Sequence, residues 1–110
     1  MNEKTLIKDI TCPVERAVDV IGDKWTALIL RELVLNGPRR FKDLSDSLSG
    51  ISPNLLSLRI KKLIEYDIME SRLYSEHPPR NEYVLTEKGR DLAPLIDGLR
   101  AWGTKHTRSD

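Results

Sequence analysis

The chain of 110 residues is short of the features that disulfide-bonded, zinc-binding and membrane-spanning proteins need. Cys12 is the only cysteine, so no intrachain disulfide can form and a zinc site with several thiolate ligands is excluded. The longest apolar runs, such as residues 28–30, fall far short of the ~20 residues that cross a bilayer. We therefore expect no membrane span and a reducing compartment.

Histidine and net charge are scarce as well. His77 and His106 are the only histidines, and neither has a carboxylate or thiol at a spacing that builds a catalytic dyad or a metal site. The sequence therefore predicts a protein that is not an enzyme and binds no metal or cofactor. The 18 Lys and Arg against 17 Asp and Glu leave a formal charge of +1, so any nucleic-acid binding must rest on where the cations are placed.

Linkers and targeting segments are missing too. No long Gly, Ser or Pro tract interrupts residues 1–110, which predicts a single domain. The first five residues mix acidic and basic side chains without the apolar core of a signal peptide, which predicts a cytoplasmic protein.

Apolar residues at helical spacing predict helices in the first half of the chain. The first helix begins at Pro13, and its apolar residues share one face: Val14, Ala17, Val18 and Ile21. Asp23 is a natural N-cap for the second, which ends at residues 36–38 and turns five side chains inward: Trp25, Leu28, Ile29, Leu33 and Val34. A third helix is expected from Phe41 to about Leu48, burying Phe41, Leu44 and Leu48.

The second half begins with the best-marked helix. After the short loop at residues 49–51, Ser52 can accept a hydrogen bond from an amide of the first helical turn. Pro53 follows at the first helical position, where an N–H would have no partner within the helix. Its predicted buried stripe is Leu56, Ile60 and Leu63, with Ile64 at the margin and an end near Tyr66. Strands are expected at residues 69–74 and 81–85, joined by a Pro78-Pro79 loop. A last helix is expected to begin at a Thr86 cap and to kink at Pro94. From Gly103 we expect a frayed tail.

This order predicts an α+β, mainly α, winged helix-turn-helix. The helix-turn-helix covers about residues 41–66, the two-stranded wing about 69–86 and a C-terminal dimerisation helix about 87–102. We expect DNA contacts from the outer face of the helix opened by Ser52, from the start of the preceding helix and from the wing. The candidate residues are Arg40, Ser52, Pro53, Asn54, Ser57, Leu58, Arg59, Lys61, Lys62, Arg72, His77 and Arg80. Leu58 on this face indicates either contact with a thymine methyl or a helix rotated from this estimate.

The sequence also resembles the HxlR-type bacterial regulators, which have the MarR-like winged-helix fold. The resemblance covers nearly the whole chain and rests on ordered motifs: Cys12-Pro13-Val14-Glu15, Lys24-Trp25, residues 29–33, Arg40-Phe41-Lys42-Asp43-Leu44, Ile51-Ser52-Pro53 with Leu56, Pro78-Pro79-Arg80, Glu82-Tyr83, Leu85-Thr86 and Gly89. It implies a homodimeric repressor or activator that binds double-stranded DNA and dimerises through its terminal helices. Asp23 and Asp67 depart from the family, which often has Gly at both positions.

Dimerisation is also indicated by apolar residues near the chain ends, more than a small core needs there. These are Leu6, Ile7, Ile10, Leu92, Leu95, Ile96, Leu99 and Trp102. The alternative is a last helix that only covers the core of its own chain. A dimer would favour a palindromic operator, since it places two recognition helices roughly 34 Å apart.

Cys12 has two interpretations. Its place at the start of a helix, where amides are unpaired and the dipole is favourable, stabilises a thiolate. The family resemblance adds that some members detect electrophiles or oxidants with the cysteine of this Cys-Pro motif, so an oxidant or small-molecule effector is one expectation. The other is a small residue that packs under the dimer.

The function predicted is therefore sequence-specific regulation of transcription, most simply repression. The alternative is a winged helix that contacts another protein, without base-specific DNA binding.

Overall fold

The computed structural model describes residues 12–107, which form helices and a two-stranded antiparallel sheet. In chain order the elements are α1 (Pro13–Ile21), α2 (Lys24–Asn36), α3 (Phe41–Ser47), α4 (Pro53–Glu65), β1 (Met69–Glu76), β2 (Pro79–Leu85), α5 (Glu87–Arg90) and α6 (Ala93–His106). The predicted fold class, mainly α with a β-hairpin wing, is confirmed.

Side-chain caps begin three of these helices where the sequence predicts them. Asp23 accepts from the Thr26 amide at 3.0 Å, Ser52 Oγ from the Leu55 amide at 3.1 Å, and Thr86 Oγ1 from the Gly89 amide at 3.0 Å. Each cap satisfies a first-turn amide that has no partner within its helix.

The buried core joins α2, α3 and α4. Leu44 of α3 and Leu56 and Leu63 of α4 are fully buried, together with Ile29 and Leu30 of α2. The short turn between α3 and α4 is possible because Gly50 takes φ 92°, a conformation that glycine adopts at no steric cost. Packing on α2 and α3 therefore fixes which side of α4 remains outside.

The two strands of the wing are longer than the sequence predicts. β1 extends to Glu76 and β2 begins at Pro79, so the tip is His77-Pro78 and not Pro78-Pro79. Pro79 fits a strand here because it stands at the outer end of an edge, where its missing N–H costs no central ladder bond. Arg39 adds a short bridge, donating its amide to the Tyr83 carbonyl at 3.0 Å.

The C-terminal helix predicted from Thr86 is instead two helices. α5 ends at Arg90, and Pro94 lies in the first turn of α6, so the proline begins a helix and does not kink one. No amide hydrogen bond is needed at that position, which is why proline is tolerated there. The predicted frayed tail from Gly103 is also wrong, because α6 continues to His106.

The apolar residues of the last helix divide into two groups. Ile96 is buried against the core of its own chain, which corrects the prediction that it lines a dimer interface, and Leu92 packs partly against the same core. Leu95, Leu99 and Trp102 remain exposed. Leu6, Ile7 and Ile10 lie outside the described residues.

The turn that leaves α4 is tightly held. Asp67 takes φ 60°, the left-handed conformation expected where the family often has Gly. Its carbonyl accepts from Thr86 Oγ1 at 2.6 Å, and Lys88 Nζ donates to the Tyr66 carbonyl at 2.7 Å. The N-terminal end of α5 is thereby fixed to the C-terminal end of α4.

Gly89 of α5 has no room for a side chain, since a Cβ there would overlap the carbonyl oxygen of Ile68. We expect Gly89→Ala to lower the free energy of unfolding by about 1–3 kcal/mol, because backbone must move to relieve the overlap. Gly98→Ala is the matched control. A Cβ at Gly98 in α6 would meet no neighbouring element among the described residues, so alanine should be neutral or stabilise the helix. Urea unfolding measures both, and equal stability of the two variants would contradict this packing.

Candidate nucleic-acid interface

The outer face of α4 is polar and exposed, as the helical wheel predicts. Leu56, Ile60 and Leu63 form the buried stripe. The opposite face carries the exposed residues Asn54, Ser57, Leu58 and Lys61, and the exposed Ser52 and Pro53 stand at the N-terminal end of the helix. Because Leu58 is 59% exposed and the stripe is the predicted one, a rotated helix no longer explains that leucine.

Arg59 and Lys62, which the sequence predicts as DNA contacts, point away from this face. Arg59 Nε lies 3.2 Å from Asp23 Oδ1, and the side chain is about two-thirds covered. Lys62 Nζ donates to the Asp19 carbonyl at 3.2 Å. Both side chains therefore point from α4 toward the junction of α1 and α2, although the sequence predicted them as DNA contacts.

Asp23 is held by more than this ion pair. Burial alone would raise the pKa of Asp23, but hydrogen bonds from the Thr26 hydroxyl and amide and the charge of Arg59 outweigh it, so the pKa is lowered. The Thr26 hydroxyl donates to Asp23 Oδ2 at 2.5 Å, and Thr26 itself is fully buried. The carboxylate stays ionised at neutral pH and has a fixed position.

Arg40 stands at the start of α3, close to the wing. Its Nε and Nη2 both lie 3.2 Å from the Asp43 carboxylate, which also accepts from the Arg40 amide at 3.0 Å. Hydrogen bonds from Arg40 lower the pKa of Asp43. The Asp43 carboxylate, with the Tyr74 hydroxyl of β1, raises the pKa of Arg40 above its ordinary value. No local pattern predicts the Tyr74 contact, which depends on the position of the wing.

The wing carries three candidate residues in two settings. Arg72 is paired across the strands with Glu82, at 3.1 Å from Nε and 2.7 Å from Nη2. His77 and Arg80 are exposed at the tip. The ion pair offsets the charge of Arg72, so the tip is the better placed part of the wing for a phosphate contact.

Cys12 is the N-cap residue of α1, as predicted, and is half-buried. Its carbonyl accepts from the Arg16 amide at 3.1 Å, while its side chain makes no capping hydrogen bond. The helix that follows presents Val14 and Val18 to solvent, 69% and 56% exposed. The sequence shows that Val14 and Val18 share a helical spacing. It does not show that both side chains remain exposed in the described part of the chain.

None of the helices between residues 12 and 107 has the length and apolar character of a membrane span. The same part of the chain shows no group of three His, Cys, Asp or Glu side chains arranged to hold a metal ion.

The short α3–α4 turn, the polar outer face of α4 and the adjoining β-hairpin define a winged helix-turn-helix protein. The chain belongs to the HxlR-like helix-turn-helix family, whose model matches residues 20–110. Curated relatives are HTH-type transcriptional regulators, so the protein is a DNA-binding regulator of transcription and not an enzyme.

Individual comparisons agree. The HTH-type transcriptional regulator sll1512 of Synechocystis sp. is 40% identical over 93 residues, covering 84% of this chain and 68% of the relative. The structure of the redox regulator HypR in its oxidized form matches with a TM-score of 0.80 and 33% identity over 88% of this chain and 99% of HypR. Diamide-treated YodB from B. subtilis gives a TM-score of 0.69 and 32% identity, with 90% and 98% covered.

Proposed function

We propose that the protein is a homodimeric, sequence-specific repressor that binds a palindromic operator, with α4 of each subunit in the major groove. The observation that carries this proposal is the exposed outer face of α4, where hydrogen-bonding side chains surround one leucine. This helix also follows a very short turn and precedes a β-hairpin, which is the place of the recognition helix in a winged helix-turn-helix.

The residues of this face have distinct roles in the proposal. Asn54 reads adenine through paired hydrogen bonds, Ser57 meets a base or a phosphate, and Leu58 contacts a thymine methyl. Lys61 neutralises a phosphate. Ser52 and Pro53 bring the amide end of α4 close to the DNA backbone, where a helix N-terminus favours negative charge.

Contacts outside α4 fix the orientation on DNA. Arg40, exposed and paired with Asp43, is proposed to meet a backbone phosphate beside α3. His77 and Arg80 at the wing tip are proposed to reach the neighbouring stretch of backbone, with Arg72 supporting them from its pair with Glu82. These contacts carry no base preference themselves but set the register of α4.

The dimer is proposed to form through α1 and α6. Leu99 and Trp102 of α6 are 56% and 62% exposed, and Leu95 lies on the same face. Val14 and Val18 of α1 are proposed to add to this apolar surface, which is of the kind that subunit contacts cover. Leu6, Ile7 and Ile10 are proposed to extend it. A two-fold axis would set the two α4 helices roughly 34 Å apart, one turn of DNA.

A dimer on an operator within a promoter would exclude RNA polymerase by occupancy, which is why we propose repression. The site of action is the chromosome, so we place the protein in the cytoplasm. Residues 1–110 act as one domain in this proposal.

Cys12 is proposed as the site where an oxidant or electrophile alters DNA affinity. Its position at the N-terminal end of α1, half-buried beside the proposed dimer surface, supports this role. HypR is described as a redox regulator, and YodB has a structure after diamide treatment. Modification of the thiol would change the packing of α1 and so the spacing of the two α4 helices.

Selection of bound DNA from a random pool tests the function. We expect enrichment of a palindrome with half-sites about one helical turn apart. Asn54→Ala should relax one position in each half-site at a cost of about 1–3 kcal/mol. Binding should also weaken steeply as salt rises through the physiological range. If no sequence is enriched and binding is insensitive to salt, the protein-contact alternative replaces this proposal.

Diamide treatment tests the role of Cys12. In a gel shift with the enriched operator, we expect diamide to change the affinity of the wild-type protein, because the reagent oxidises thiols. Cys12→Ser should bind the operator with and without diamide alike, since it keeps a small polar N-cap but no thiol. Identical binding in all four lanes would leave Cys12 as a packing residue.

A further inference from the structure

We propose that Arg59 and Lys62 are positioning residues that hold α4 in its DNA-binding orientation, and that Asp23 is the acceptor through which Arg59 acts. The two cations, with Asp19 and Asp23, form what we call the α4 clasp. The inference deepens the proposed function, on which its DNA readout rests, and assigns these residues a role other than base or phosphate contact.

Asp23, the acceptor in the first half of the clasp, is held by contacts other than the one to Arg59. Asp23 already accepts from the Thr26 amide at 3.0 Å and from its hydroxyl at 2.5 Å, and Thr26 has no exposed surface. The Arg59 Nε contact at 3.2 Å therefore joins α4 to a carboxylate that two other hydrogen bonds already hold at the start of α2. The Thr26 contacts lie within α2, whereas Arg59 lies 36 residues away in the sequence.

The second half lies one turn further along the same side of α4. Lys62 is three residues after Arg59, a spacing that places both side chains on one face of the helix. Its Nζ donates at 3.2 Å to the carbonyl of Asp19 in the last turn of α1. Carbonyls at a helix C-terminus have no partner within their helix and attract cations, so this contact suits a lysine.

The clasp supplies a constraint that apolar packing lacks. The buried stripe of Leu56, Ile60 and Leu63 attaches α4 to the core, but apolar attraction has no direction and allows a helix to rock about the stripe. Hydrogen bonds prefer a narrow range of distance and angle. Two of them on one flank, both to the α1–α2 junction, oppose that rocking and pass any shift of α1 to α4.

The direction in which Asp23→Asn changes DNA affinity distinguishes the clasp from direct DNA contact. Asp23→Asn keeps the N-cap, because asparagine is as good a cap as aspartate, but removes the negative charge that holds Arg59. If charge near DNA were all that mattered, loss of an acidic group would tighten binding. If Asp23 positions α4, binding should weaken.

A double-mutant cycle on the operator selected by the wild-type protein makes the test. We expect Asp23→Asn and Arg59→Gln each to weaken operator binding by about three- to tenfold, and the double variant to be no weaker than the weaker single variant. Base preferences in a repeated selection should be unchanged for all three. Tighter or unchanged binding by Asp23→Asn, with Arg59→Gln losing preference at one operator position, would overturn the proposal in favour of base reading.

Adjacent lysines provide a matched control for the second half. Lys61 is on the exposed outer face and Lys62 is in the clasp. Lys61→Gln should reduce the dependence of log affinity on log salt by about one unit, as loss of one phosphate contact does. Lys62→Gln should weaken binding without changing that slope, and an equal loss of slope in both variants would contradict a clasp role for Lys62.

A readout without DNA keeps the clasp separate from the function. Hydrogen exchange of the α4 amides should be faster in Asp23→Asn and Arg59→Gln, by the same factor in the double variant as in a single one. That coupling would support the clasp even if the wild-type protein enriched no DNA sequence, in which case only the proposed function would fail. Additive effects on exchange would overturn the clasp whatever the DNA result.

Discussion

The packing of α4 against α2 and α3 is the contact on which the rest of this structure depends. Leu56, Ile60 and Leu63 are the side chains that α4 buries, and they meet Leu44 of α3 and residues of α2 in one core. A helix buried on one stripe has its opposite face decided at the same time. The exposed polar face, the short turn before it and the wing after it all follow from that single orientation.

Charge in this protein acts through placement and not through amount. With a net charge of +1, the chain cannot attract DNA by its overall field as a strongly basic domain does. Several of its cations are paired with acidic side chains: Arg40 with Asp43, Arg72 with Glu82 and Arg59 with Asp23. Such pairs fix the direction of long side chains more than they add stability when exposed. Specific binding would then depend on a small number of oriented contacts.

The sequence predicted the elements that have strong local signals. Ser52-Pro53 marks a helix start by capping chemistry, and the spacing of Leu56, Ile60 and Leu63 gives its rotation, so both were confirmed. Predictions failed where a residue tolerates two local structures: Pro94 can kink a helix or begin one, and Pro79 can begin a strand or form a turn.

Partners distant in sequence were beyond the reach of local pattern. Nothing local in Arg59 says that it meets Asp23 and not a base, because that contact depends on how α4 packs beside the α1–α2 junction. The burial of Ile96 within its own subunit has the same origin, since helical spacing groups it with Leu95 and Leu99 but only the packed fold separates them.

Chemical protection of the bound operator tests the central claim most directly, that the outer face of α4 enters the major groove once in each half-site. Dimethyl sulfate methylates guanine N7, which lies in that groove. The account predicts two protected patches of guanines about one helical turn apart on the same side of the duplex. Tight binding that leaves every guanine N7 reactive, or that protects a single patch, would contradict it.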